Sequence, residues 1–147
     1  MDLRRGARTG VAIVAGLLAA LLLVQIFLAG LGVFEGPSRF EMHRDFGYTL
    51  YLPILVLIVL SIVGRGPARL IGLSVLLMGQ ILLQSVFVVM RTDNPQVAAL
   101  HPVNGVLMLV VSLVLAREAW AARAVGSAAP APSSEPVEPP PVTEATS

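Results

Sequence analysis

Residues 9–34 read TGVAIVAGLLAALLLVQIFLAGLGVF and carry no charged side chain. About 20 apolar residues, rising 1.5 Å each in a helix, cross a hydrocarbon core of about 30 Å. This run is therefore long enough to span a bilayer once. Outward from it the pattern recurs: further apolar runs occupy about 43–63, 68–90 and 101–120, with the charges gathered between them, as in multi-span membrane proteins. The expectation is an all-α polytopic membrane protein, an antiparallel four-helix transmembrane bundle. It occupies residues 1–123, and a Pro-rich disordered tail follows over 124–147.

Composition supports this class and excludes others. The 147-residue chain is 56% hydrophobic and 13% charged, with a mean hydropathy of +0.83, whereas soluble domains are about 45–50% apolar. The lipid bilayer is its first partner. A net charge of +1 with no basic stripe argues against nucleic acid. There is no Cys and no Lys, which removes disulfides, thiolate ligands and iron–sulfur sites. Any metal would be held by His, Met or oxygen.

Arg4, Arg5 and Arg8 resemble the basic start of a signal peptide. The apolar run that follows exceeds the usual length of about 7–15 residues and lacks a small-residue cleavage pattern, so an uncleaved first helix is expected. In the four-span scheme Arg4, Arg5, Arg8, Arg65, Arg69, Arg117 and Arg123 share one side, against Arg39, Arg44 and Arg91 on the other. The excess places both termini in the cytoplasm and the loops at 35–42 and 91–100 outside. An arginine-only basic set with abundant Ala, Val and Leu suits a bacterial plasma membrane.

Local signals fill in the scheme. Gly64-Arg65-Gly66-Pro67 reads as a tight turn, and Pro67 and Pro102 suit first helical turns, where the missing N–H is not needed. Pro53 lies inside span 2 and is expected to interrupt it about two turns beyond His43. Ala12, Gly16, Ala20, Gly72 and Gly79 have the spacing of close helix contacts. Phe40, Tyr48, Tyr51 and Trp120 read as interfacial anchors. The tail from Gly126 holds six Pro and three Glu and no basic residue, a composition that does not build a core.

The chain has two histidines, His43 and His101, each opening an apolar run on the same side of the membrane. Their surroundings repeat. His43-Arg44-Asp45-Phe46-Gly47 and His101-Pro102-Val103-Asn104-Gly105 both read His-x-x-x-Gly, and Gln25 and Gln84 precede them at nearly equal distances. In an up-down bundle spans 2 and 4 lie diagonally across the core. Two imidazoles projecting inward at one depth then supply the two axial ligands of a haem. Gly47 and Gly105, one turn on and on the same helix face, leave room for a macrocycle. Gln25 and Gln84 sit on the other diagonal, where their amides can reach the haem edge, a quinone head group or each other. The bland alternative is that His and Gln only tie helices together, giving a cofactor-free scaffold or accessory subunit. A quinone-binding subunit using Gln25 and Gln84 is a third class.

No phosphate-binding glycine loop, His-Glu-x-x-His run or Ser–His–acid set is present. Outside the tail the acids are Asp2, Glu35, Glu41, Asp45, Asp93 and Glu118. None lies mid-membrane, which argues against a carboxylate-based proton-coupled transporter.

Glu41-Met42-His43-Arg44 after a span with Gln25, followed by a span with Gln84 and then His101, resembles one four-helix half of the haem A synthase family. The chain is equally similar to small four-span membrane proteins of high-GC bacteria. The first resemblance covers about residues 10–120 and implies a His pair near the outer face holding haem b. In that family a Glu near a ligand His matters to the chemistry, but the Glu41 spacing departs from the family pattern. One four-helix unit has room for one haem, while haem A synthesis needs a cofactor haem and a substrate haem together. The expectation is therefore a haem-b protein for electron transfer or haem handling, with a homodimer or a membrane redox partner as its protein contact.

Overall fold

The computed structural model describes residues 3–125, and all regular structure among them is helical. The Pro-rich tail from Gly126 lies outside the described residues. Helix α1 (Leu3–Phe34) leads through a 3-10 turn at Pro37–Arg39 into α2 (Phe40–Thr49) and α3 (Tyr51–Val63), and α4 (Ala68–Val89) follows. A short α5 (Pro95–Ala98) then precedes α6 (Leu100–Val125). Four stretches are long and apolar enough to cross a membrane: Leu3–Phe34, Pro37–Val63, Ala68–Val89 and Pro95–Ala122.

The helices meet as a square. Helix α1 packs on α3 and α6, and α4 packs on α3 and α6, while the backbones of α1 and α4, and those of α3 and α6, do not approach closely. The diagonals are thus α1 with α4, and the α2–α3 span with α6. The core on the axis is made of Leu18, Ile54, Leu57, Leu77, Met108 and Leu115, each at most 1% exposed. Large apolar side chains such as Leu17, Leu52, Leu55, Leu107 and Leu113 face outward. An apolar surface of this extent is what a bilayer covers and water does not.

Where the helices begin and break differs from the sequence reading in informative ways. Helix α1 starts at Leu3 rather than near residue 9, because arginine is a good helix former whose stem lies along apolar surface while its head reaches water. Pro53 interrupts span 2 one turn upstream of itself. Lacking an N–H, it leaves the Thr49 carbonyl without its helical donor. The chain passes between α2 and α3 at Leu50, whose N–H turns back to the Gly47 carbonyl at 3.2 Å.

The close-packing stripe on α1 is Ala12, Ala15 and Ala19. Gly16, Gly72 and Gly79, expected at helix contacts, instead have nothing within 4 Å of where a Cβ would stand. They face outward. The turn after α3 is a Schellman motif, with Gly66 N–H to the Ser61 carbonyl at 3.0 Å and Arg65 N–H to the Ile62 carbonyl at 2.9 Å. Arg65 takes the left-handed position at φ 44°. Close approach of α1 fixes the neighbouring glycine, since a Cβ on Gly64 would stand 3.2 Å from that of Ala7.

At the turn's end of the bundle, Ser61 and Ser74 are buried and share a hydrogen bond of 3.0 Å between α3 and α4. Interhelical bonds of this kind contribute about 0.6 kcal/mol on average in membrane bundles. Ser74→Ala is therefore expected to lower unfolding free energy in mixed detergent by about 0.5–1 kcal/mol, read from the shift of the denaturation midpoint. No change would mean that the bond is made equally well in the denatured state.

Candidate functional site

The turn geometry sets both histidines at the same end of the bundle. Gly36, at φ 127°, lets the chain reverse after α1, and the Arg39–Glu35 ion pair at 3.0 Å spans the turn. His43 then sits in the first turns of α2. On the other side His101 and Pro102 fall in the first turn of α6, where proline's missing N–H costs nothing. Across the diagonal the two rings come together, with centroids 5.9 Å apart and planes at 65°. The expected pairing of spans 2 and 4 is present.

The two imidazoles are held alike. His43 Nδ1 lies 3.0 Å from the backbone oxygen of Gln25, and His101 Nδ1 lies 3.4 Å from that of Gln84. A carbonyl oxygen only accepts, so Nδ1 is the donor in both contacts. Metal-ligating histidines are oriented by this bond, from the ring N–H to a backbone carbonyl. Phe40 adds an edge contact to His43, with centroids 6.4 Å apart.

The glutamines bind locally rather than to each other. Gln25 Nε2 donates to the His43 backbone oxygen at 2.8 Å and approaches the His43 Nε2 lone pair at 3.3 Å. It also takes up the space beside Gly47, where a Cβ would stand 2.9 Å from that same nitrogen. Gln84 Nε2 is placed in the same way 3.2 Å from a Cβ on Gly105. The room expected for a macrocycle beside the glycines therefore holds glutamine amides, which are flexible ends that can turn away. Gln25 Oε1 and Gln84 Oε1 are buried with no hydrogen-bond partner among the described residues, an arrangement that costs free energy unless a donor is supplied.

Further polar groups lie beneath the histidines. Asn104 Nδ2 donates to the Gln80 backbone oxygen at 2.8 Å, both side chains are buried, and Gln80 Oε1 has no partner among the described residues. Sequence reading passed over this pair, although Gln80 lies one turn before Gln84 and Asn104 one turn after His101. Tyr51, expected at the membrane interface, instead bonds Ser85 Oγ at 2.8 Å, tying α3 to α4. Its ring packs against the apolar core. Of the arginines at the histidine end, Arg44 pairs with Asp45 at 2.8 Å and Arg91 donates to the Val88 oxygen at 3.2 Å.

What this set can hold follows from its donor count. Among the described residues no three His, Cys, Asp or Glu side chains converge on a metal site. A bare zinc ion wants about four ligands. A haem brings four nitrogens of its own and asks the protein for two. Two imidazoles supply the number of ligands that group asks for, while the space beside Gly47 and Gly105 is taken by the Gln25 and Gln84 amides.

Fold and site together define a multi-pass, four-helix membrane protein with an imidazole pair at one end of its core. The model of a family of unknown function, DUF6220, matches residues 25–92. The matched region takes in Gln25, His43, Gly47 and Gln84 and ends before His101 and Gly105. No curated protein matches the chain, and no solved structure does. The haem A synthase family is not among these findings.

Proposed function

We propose that this chain is an integral membrane protein that binds one b-type haem between His43 and His101, near the outer face of a bacterial plasma membrane, for electron transfer or haem handling. The observation that carries the reading is the matched pair of imidazoles, each with Nδ1 on a backbone carbonyl, meeting across the diagonal with centroids 5.9 Å apart. The haem supplies one-electron chemistry when bound. The protein's part is to fix both rings, to exclude water through the apolar core beneath them, and to give up the Gln25 contact with His43 Nε2 so that its lone pair is available. Haem propionates would lie toward Arg39 and Arg91 at the aqueous end. Proteoliposomes with haem supplied test the reading through the reduced-minus-oxidised difference spectrum.

The orientation rests on the arginine distribution, which places both termini in the cytoplasm. Single cysteines replacing Ser38 and Asn94 are expected to react with an impermeant maleimide added to intact cells, and a cysteine at Gly66 only after lysis. The reverse pattern would put the histidine end inside.

A second reading, a cofactor-free scaffold or accessory subunit, is favoured by one feature: the amide of Gln25 already satisfies His43 and fills the space beside Gly47. It expects a colourless, folded protein. A haem spectrum with both imidazoles as ligands excludes it.

A further inference from the structure

The turn end of the bundle, opposite the histidines, gathers positive charge at one corner. The start of α1 and the α3–α4 turn contribute Arg4, Arg5, Arg8 and Arg65, and no acidic residue lies between Leu3 and Phe34 or between Tyr51 and Val89. Asp2, outside the described residues, is the one acid before Glu35. Between α4 and α6 the balance is different, because Arg69 is held by Glu118 at 3.1 Å. The excess charge therefore sits where α1 meets the turn.

Two features of that corner are unfavourable without an anion. Arg8 lies across the turn: its Cγ is 3.5 Å from where a Cβ on Gly64 would stand, and Nη2 donates to the Arg65 carbonyl at 3.3 Å. Its Nε is buried with no acceptor among the described residues. A covered guanidinium N–H in that state costs free energy that the oxygen of an anion recovers. Arg65, for its part, holds the left-handed position of the Schellman turn at φ 44°, where glycine is favoured and an L side chain is strained. Gly64 and Gly66 flank it, yet the strained position itself carries an exposed cation. Helix α4 begins just beyond without a side-chain cap, and its positive end adds to the same potential.

We infer that this corner is a binding site for the phosphate of an anionic membrane lipid, held by Arg8 and Arg65. Depth selects a lipid over a soluble anion. Arg8 is the last charge before the uncharged run that begins at residue 9, and Arg65 lies between spans that end at Val63 and begin at Ala68. Both arginines thus stand at the edge of the hydrocarbon, where lipid phosphates lie and where basic pockets between spans take up anionic head groups. A guanidinium receives two phosphate oxygens side by side through Nε and a terminal nitrogen. A small rotation at the end of the Arg8 stem presents both, with Nη2 exchanging the Arg65 carbonyl for the phosphate. The acyl chains then run along exposed apolar side chains of α1 and α3 such as Ile13, Ile62 and Val63. The site is independent of what the histidines hold.

The experiment titrates phosphatidylglycerol, phosphatidylcholine or inorganic phosphate into the full chain in neutral detergent, with bound lipid counted by native mass spectrometry and the melting temperature followed in parallel. One phosphatidylglycerol per chain should bind more tightly than phosphatidylcholine by on the order of tenfold. Arg8→Gln should weaken phosphatidylglycerol binding about fivefold, the contribution of one arginine at an anionic surface. Arg65→Gly should weaken it by a similar factor while raising the melting temperature of the lipid-free protein, because glycine relieves the positive φ. A gain in stability joined to a loss of lipid affinity cannot come from poor folding. Arg69→Gln, which removes the same charge from a group already paired at this end, should leave the affinity within about twofold. Equal binding of the two lipids, full affinity in Arg8→Gln, or an equal loss in Arg69→Gln would reduce the effect to general surface charge and overturn the site. Inorganic phosphate that stabilises the chain as much as phosphatidylglycerol does would overturn the assignment to a lipid.

Discussion

His43→Ala and His101→Ala should each remove the low-spin haem spectrum of the loaded protein, leaving either a five-coordinate, high-spin signal or no haem. Each histidine supplies one of the two axial nitrogens, and no third imidazole or thiolate exists in the chain to replace it. The effect is large because the remaining ligand set is incomplete. Loss of His101 is the cleaner case, since the hydrogen bond its ring makes is a long one, to the Gln84 oxygen at 3.4 Å. Loss of His43 also releases Gln25. Gln84→Ala keeps both imidazoles and should keep the iron six-coordinate. Absorbance and electron paramagnetic resonance of purified variants check this, and an unchanged low-spin spectrum in either histidine variant would rule out ligation by the pair.

Replacing Gly47 or Gly105 by Leu should have the next largest effect, reducing haem content severalfold in protein that still purifies as a single species. A Cβ at either position meets only the far end of a glutamine side chain, at 2.9 and 3.2 Å, so Ala is accommodated when the amide turns. A branched side chain cannot be accommodated by that movement, because it extends over the face the imidazole presents to its ligand. The graded order of glycine, alanine and leucine in haem retained per protein is the expected result. Leu variants that fold and keep full haem would show that no planar group lies against these helices.

The four spans were legible in the sequence because hydropathy requires no knowledge of partners: a chain whose charges lie only between apolar runs has one way to satisfy its backbone in lipid. The diagonal pairing of His43 with His101 was legible too, from up-down connectivity and equal depth. Details that depend on which face a residue presents were not. Gly16, Gly72 and Gly79 have contact-like spacing but point outward, since spacing gives a face and not its direction. Tyr51 reads as interfacial, yet its hydroxyl bonds Ser85 and its ring packs on the core. The amides of Gln25 and Gln84 were visible as polar groups in apolar spans, yet side-chain reach let them fold back on Gly47 and Gly105. Gln80 and Asn104 were visible as polar residues in apolar spans, but their pairing needs the packing of α4 on α6.

The most direct test of bis-imidazole haem binding is the spectrum of the wild-type chain itself, purified in detergent from cells supplied with haem precursor. The account expects about one haem per chain, a sharp alpha band on reduction, and a low-spin ferric resonance signal. Folded, monodisperse protein that carries no haem and takes up none when titrated with it would contradict the account.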